Sequence, residues 1–258
     1  MILDEEKLVW IKKVERSGTK YLVTTDVDDD AIKLTEDLIV KYRIIKGNSF
    51  YQKDWNKIKN SLNEGILFDQ VLHYIDFKMR TEKEVIEYLE KKNSNEVVNK
   101  KIIKKLKEIK MLDDDRYTRM FIEGELRKNN GPHLIKYNLM TRGIKEELID
   151  EYLDQIKNDD LYNRAMDVAQ KTLRQVIGYP INKQKETIYS KLMRMGYDSN
   201  IVTRILNDIK YSEVDLDKLN ELYQELLAKK LDKNQIIQKL LAKGYDYNDI
   251  KHVINEFE

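Results

Sequence analysis

The sequence predicts a mainly α-helical chain. It should consist of tandem three-helix repeats forming an elongated, curved body, with a small antiparallel β module at the N-terminus. Three observations lead there. Gly and Pro number only 9 and 2 in 258 residues, while Lys, Glu, Asp, Leu and Ile dominate, a composition that favours long helical stretches over many strands and turns. Short runs rich in Val, Ile, Thr, Tyr and Trp are confined to the first fifty residues. Three later segments share one template of a glycine and spaced apolar residues.

In the β module, "KLVWIKKVE", "TKYLVTTDV" and "DAIKLT" are separated by the turn signals "RSG" and "DDD", which reads as a three-stranded antiparallel sheet over residues 8–34. A short helix follows in "TEDLIVKYRIIKG", with Thr35 as N-cap, Glu36 and Asp37 in the first turn and Gly47 as the stop.

The repeat is legible in "LMTRGIKEELIDEYL", "LMRMGYDSNIVTRIL" and "LLAKGYDYNDIKHVI". Four residues before each glycine stands Leu139, Leu192 or Leu240. Six, nine and ten residues after it stand Ile149, Tyr152 and Leu153; Val202, Ile205 and Leu206; or Ile250, Val253 and Ile254. Gly143, Gly196 and Gly244, spaced by 53 and 48 residues, fit the left-handed position just past a helix end. A helix opening with aspartates precedes each copy, and these suit a helix N-terminus. A divergent copy starts near Asp69, with Asn93 in the glycine's place and a longer loop over 93–97. The organisation expected is a β module with a short helix at 1–50, a linker helix with the first repeat at 51–112, and further repeats at 113–158, 159–211 and 212–258. Helices this short must bury a stripe against neighbours. Stacked modules would leave a long concave surface suited to an extended partner.

The net charge is +1 and there is no cysteine, so disulfides and thiolate chemistry are excluded and a reducing cytoplasm is expected. The N-terminus lacks the apolar core of a signal peptide and no run approaches a membrane span. Charge is uneven, however. Residues 91–110 hold eight lysines against Glu96 and Glu108, and a helix there would turn Val98, Ile102, Ile103, Leu106 and Ile109 inward and leave a basic face.

The sequence carries no catalytic or metal-binding signature. His73, His133 and His252 lie in different modules with no acidic residue at zinc-ligand spacing. "DVDDD" at 26–30 imitates half a calcium loop but has Ala31 where the turn glycine belongs and Asp37 where the glutamate belongs, so it reads as a hairpin turn. "SGTK" lacks the upstream glycine of a phosphate loop. The aspartates of "LDDDRY" read as helix caps and local ion pairs, and Tyr88, Tyr152 and Tyr189 as core packing on apolar stripes. No enzyme, metal or cofactor is expected.

Finally, "RTEKEVIEYLEKK" (80–92), "MLDDDRYTRMFI" (111–122) and "GPHLIKYNLMTRGI" (131–144) together resemble the signature of the RecX family, regulators of the RecA recombinase. The strand-rich N-terminus is similar to the extension of long Gram-positive members. The resemblance implies tandem three-helix repeats and binding in the groove of RecA filaments on single-stranded DNA. It also implies inhibition of the recombinase ATPase, strand exchange and filament growth, with no catalysis by this chain. A cytoplasmic monomer acting away from any membrane is expected. The signature positions are Arg80, Glu84, Leu89, Leu112, Asp113, Asp114, Arg116, Tyr117, Phe121, Gly131, Pro132, Leu139, Gly143 and Ile144, with Gly196 and Gly244 as repeat equivalents, and most read as structural. Glu125 stands where members often carry a basic residue. Candidates for partner or DNA contact are Arg80, Lys100, Lys101, Lys104, Lys105, Lys107, Arg116, Arg119, Arg127 and Arg142. Direct nucleic-acid binding independent of the recombinase is the competing expectation, and a helical scaffold for another partner the third.

Overall fold

The computed structural model describes residues 7–255. The chain divides into two compact units, residues 1–113 and 114–258.

The first unit opens with β1 (Leu8–Ser17), β2 (Lys20–Thr25) and β3 (Ile32–Thr35), followed by α1 (Glu36–Tyr42) and β4 (Ser49–Tyr51). The antiparallel sheet has the order β3-β2-β1-β4. It therefore has four strands, not the three read from the sequence. The fourth has three residues, too few to show an alternating pattern, and pairs with Leu8–Trp10 at the opposite end of the module. Helix α1 also stops earlier than Gly47. Arg43 adopts a left-handed conformation (φ 51°), and Ile44 N–H donates back to Ile39 O at 2.9 Å. The chain must turn there because Ile44 enters the core with Val9, Ile11, Val23 and Leu34.

The long α2 (Gln52–Phe77) serves two cores. Its first half packs Trp55, Ile58 and Leu62 against the sheet. Its second half packs Val71 and Ile75 with α3 (Glu82–Lys91) and α4 (Glu96–Glu108), around Val85, Leu89, Ile102, Ile103, Leu106 and Leu112. Asp28, in the acidic turn, ties helix to sheet. Its carboxylate accepts from Trp55 Nε1 at 2.7 Å, Lys59 Nζ at 2.9 Å and Thr25 Oγ1 at 2.9 Å. Burial pushes this carboxyl's pKa up, but the hydrogen bonds from Lys59, Trp55 and Thr25 outweigh it and hold it below the usual value.

The second unit is a series of helices in threes: α5 (Asp114–Arg127), α6 (Pro132–Thr141) and α7 (Glu146–Leu153); α8 (Asn158–Gln175), α9 (Ile181–Arg194) and α10 (Ser199–Asp208); α11 (Leu216–Ala228), α12 (Lys233–Ala242) and α13 (Tyr247–Asn255). One core gathers Ala165, Val168, Ile188, Leu192, Tyr197, Val202 and Ile205. Another gathers Leu219, Tyr223, Ile236, Leu240, Tyr245, Ile250 and Val253. Thr81 with Glu84 and Asp232 with Gln235 form capping boxes. Asp159 and Asp160 instead lie inside the first turn of α8, where they act on the helix dipole and not as caps.

The glycine template has a structural basis. Asn93, Gly143, Gly196 and Gly244 all have left-handed φ, between 58° and 91°. In each turn the next residue's N–H reaches back to the template leucine: Ser94 to Leu89 O, Ile144 to Leu139 O, Tyr197 to Leu192 O and Tyr245 to Leu240 O, all at 3.2 Å. This is the closing bond of a Schellman motif. The third helix then begins at Glu96, Glu146, Ser199 or Tyr247, the same distance on in every copy, so the longer loop expected over 93–97 is absent. What differs in the first copy is chemistry. Ile149, Val202 and Ile250 are fully buried six residues after the glycine; their counterpart Asn99 is buried with Oδ1 lacking a hydrogen-bond partner. Ser94, where the others carry Ile144, Tyr197 and Tyr245, likewise has an unpartnered Oγ.

Successive modules of the second unit are joined through backbone. Gly131 N–H donates to Met195 O at 2.7 Å and His133 N–H to Gly196 O at 3.0 Å. Tyr197 Oη donates to Asn129 O at 2.8 Å and Arg164 Nη1 to Leu126 O at 2.7 Å. At the next junction Asp215 N–H donates to Gly178 O, and Gln184 bridges Tyr179 O, Ser212 O and Ser212 N–H. Pro180, the N-cap of α9, there faces Gly244 much as Gly131, the N-cap of α6, faces Gly196.

Candidate functional site

Five of the eight lysines, Lys100, Lys101, Lys104, Lys105 and Lys107, lie on α4, and these five are engaged within the unit. Lys100 pairs with Glu96 at 2.6 Å and Lys104 with Glu108 at 3.9 Å, each one turn away on the same helix. Lys101 reaches Glu64 on α2 at 3.2 Å, Lys107 reaches Glu82 on α3 at 2.5 Å, and Lys105 Nζ sits 4.0 Å from the centre of the Phe68 ring. These pairs are exposed, so solvent screening leaves each of them weak. Their effect is to make the face of α4 mixed in sign instead of uniformly basic.

Arg80 is packed. Its guanidinium lies 4.1 Å from the centre of the Tyr74 ring, which stacks on Tyr88 at 4.4 Å, and pairs with Glu84 at 3.8 Å. In the second unit, Arg116, Arg119 and Arg127 occupy one exposed stripe of α5 at helical spacing. Arg127 is paired with Glu123 at 3.6 Å. Arg142, after α6, covers Phe121 at 4.8 Å and donates to Asn138 O at 2.7 Å. The ten candidate cations thus fall into an α4 set with a packed Arg80 and an α5 row, with Arg142 spent on packing.

The signature residues largely build the fold. Pro132 occupies the first turn of α6 after N-cap Gly131. Leu89, Leu112, Tyr117, Leu139 and Ile144 are buried, and Tyr117 stacks on Phe121 at 6.0 Å. Asp114 O accepts from Thr118 Oγ1; Asp113 lies just before α5. Glu125 is buried and accepts from Lys128 Nζ and Asn130 Nδ2, both at 2.6 Å. Burial raises its pKa, yet those two bonds outweigh it and hold the carboxyl below its usual range. It fastens the turn that leads into Gly131. Of the tyrosines read as core, Tyr88 is stacked and Tyr152 donates to Asp115 at 2.9 Å. Tyr189 is 45% exposed instead, because α9 buries its Ile188 and Leu192 stripe and turns Tyr189 outward.

Sequence reasoning missed one surface. Between α8 and α9 lies an open groove of about 530 Å³ whose lining includes Lys128, Lys171, Lys183, Lys191 and Arg194, against one carboxylate, Glu186. Lys128 and Lys183 are paired with Glu125 and Glu186. The spacing of Lys183, Lys191 and Arg194 along a helix was a usable signal, but Lys128 and Lys171 join them only through packing. Among the described residues no group of three or more His, Asp or Glu could hold a metal ion. Nor is any described helix long and apolar enough to cross a membrane.

Fold and surfaces together define an array of three-helix modules that offers charged, open faces. Residues 113–153 match the family profile described as RecX, second three-helix domain. A regulatory protein RecX of Streptococcus agalactiae is 30% identical over 225 residues, covering 86% of this chain and 84% of that protein. One of Lactococcus lactis is 29% identical over 244 residues, covering 88% and 86%. This chain belongs to the RecX family. Two solved structures share its fold: one of regulatory protein RecX, with TM-score 0.64 at 23% identity over 78% of this chain and 100% of that one, and one of RecX from Lactobacillus salivarius, with TM-score 0.52 at 22% identity over 57% and 97%.

Proposed function

We propose that this chain is a non-enzymatic regulator that binds RecA filaments on single-stranded DNA and inhibits ATP turnover, strand exchange and filament growth. The observation that carries this reading is the repeated backbone joint. The α6 N-terminus is locked onto the α9–α10 turn by hydrogen bonds from Gly131 and His133. Neighbouring modules therefore hold their exposed faces at a fixed offset, and a partner that is itself a regular polymer can engage several at once. Multivalency then lets modest contacts per module sum to tight binding. In the segment matched by the family profile, the Arg116, Arg119 and Arg127 row of α5 is the face assigned to the filament. The α4 lysines are a second contact, reached by exchanging weak exposed ion pairs for those of the partner.

The test is co-sedimentation with recombinase filaments assembled on poly(dT) with a slowly hydrolysed nucleotide. The protein should pellet with filaments in a saturable manner, and Arg116→Gln with Arg119→Gln should weaken this severalfold. If it stays in the supernatant over intact filaments, the reading is wrong.

A further inference from the structure

We propose that the groove between α8 and α9 holds the sugar–phosphate backbone of a single-stranded nucleic acid, with Lys171, Lys191 and Arg194 as its phosphate contacts. This deepens the filament reading by giving the chain its own hold on the strand. It concerns residues outside the 113–153 segment that the family profile matches.

The electrostatics single this groove out. Five cations line it against Glu186 alone, and Glu186 is occupied by Lys183 at 3.0 Å. Lys128 is likewise held by Glu125 at 2.6 Å. Lys171, Lys191 and Arg194 enter no ion pair among the described residues, in contrast to the lysines of α4. Clustered like charges without counter-charges repel one another, and a polyanion relieves that repulsion. Two ammonium groups act as mobile point charges and the guanidinium as a fork that matches phosphate oxygens. The floor is rigid: Val168 and Thr172 are buried, Thr172 Oγ1 donates to Val168 O at 2.8 Å, and Ile188 and Leu192 anchor α9 in the core.

A strand, and not an acidic peptide, is indicated by what lies next door. No aromatic ring lines this groove, but Lys183 and Glu186 also line a second groove of about 780 Å³, where Tyr179 stands. That ring is 44% exposed, with Lys218 Nζ 5.6 Å from its centre. A cationic track leading to an exposed ring under a lysine is the pairing that single strands use, phosphates on the cations and a base on the ring.

The test uses the full chain without recombinase, reading the anisotropy of fluorescein-labelled oligo(dT) at 50 and 200 mM KCl. Three phosphate contacts give a slope of log K against log salt of about −2, which is roughly a twentyfold loss over that range. Replacing Lys171→Gln, Lys191→Gln and Arg194→Gln together should abolish that slope. Lys171→Arg with Lys191→Arg, which keeps the charge, should preserve it, and Lys33→Gln with Lys46→Gln, two exposed lysines of the first unit, should leave it unchanged. Circular dichroism of each variant checks that it is folded. If the native chain does not bind oligo(dT), or binds polyglutamate in its place, or if the folded triple variant retains the slope, the proposal is overturned. None of these outcomes touches co-sedimentation with preassembled filaments, so the two readings fail separately.

Discussion

Gly131 and Gly196, 65 residues apart in sequence, meet face to face where two modules join. A Cβ on Gly131 would collide with the Gly196 carbonyl and lie 2.7 Å from Tyr197 N, and a Cβ on Gly196 would lie 2.6 Å from Leu134 Cβ. The contact that fixes one module on the next thus needs a glycine on both sides. Gly131 has an ordinary negative φ of −83°, so Gly131→Ala tests the close approach alone. It should destabilise the second unit by about 1–3 kcal/mol, the usual cost of overpacking, read as a lower urea midpoint. An unchanged midpoint would mean the joint tolerates separation.

The same joint carries Tyr197, whose hydroxyl donates to Asn129 O. Burial pushes its pKa up to about 12 from 10.0. Between those values the folded state holds a proton that the unfolded state has lost, so stability is full below about pH 10 and falls as pH rises towards 12. Tyr197→Phe should remove that alkaline loss. At neutral pH it should cost about 1 kcal/mol, since Asn129 O loses its donor. Urea titrations at pH 7, 10 and 11 would show both effects.

Asp28 gives the opposite dependence in the first unit. Its folded pKa lies below the usual value, so its contribution is present above the unfolded carboxylate pKa and disappears as pH falls through the folded one. Asp28→Asn should lower stability at pH 7 by about 1.5–3 kcal/mol, the range for hydrogen bonds to a charged group, and flatten the acid limb. Tryptophan fluorescence reports it directly, because Trp55 is one of the donors. A variant with the same acid midpoint as the native chain would contradict this assignment.

How much of this was legible in the sequence depended on whether the determinant was local. Gly143, Gly196 and Gly244 betrayed the helix ends because left-handed φ is a one-residue requirement, and Asn93 could be recognised as their stand-in for the same reason. Ser49–Tyr51 could not, because a three-residue strand is defined by its partner in β1. Gly131 was legible as a helix start, but not its meeting with Gly196. The lysines of α4 stood out as a run, yet the glutamates that engage Lys101 and Lys107 come from α2 and α3. The basic groove went unseen because the turn after α5, α8 and α9 each supply only part of it.

Asn99 offers a further check on the repeat. Its carboxamide occupies the place of Ile149, Val202 and Ile250 and leaves Oδ1 buried without a partner. Asn99→Leu should raise the stability of the first unit by about 1 kcal/mol, the lower end of the cost of an unsatisfied polar atom. Thermal unfolding would read it as a higher midpoint. A lower midpoint would show that the amide has a role the repeat comparison does not reveal.

The central claim, that this chain regulates the recombinase filament, is tested most directly by ATP hydrolysis of RecA on single-stranded DNA, titrated with the native chain. Inhibition at concentrations well below that of the recombinase, weakened by replacing Arg116 and Arg119 with glutamine, is the result expected. Unchanged hydrolysis across the titration, with the filament intact and the protein folded, would contradict it.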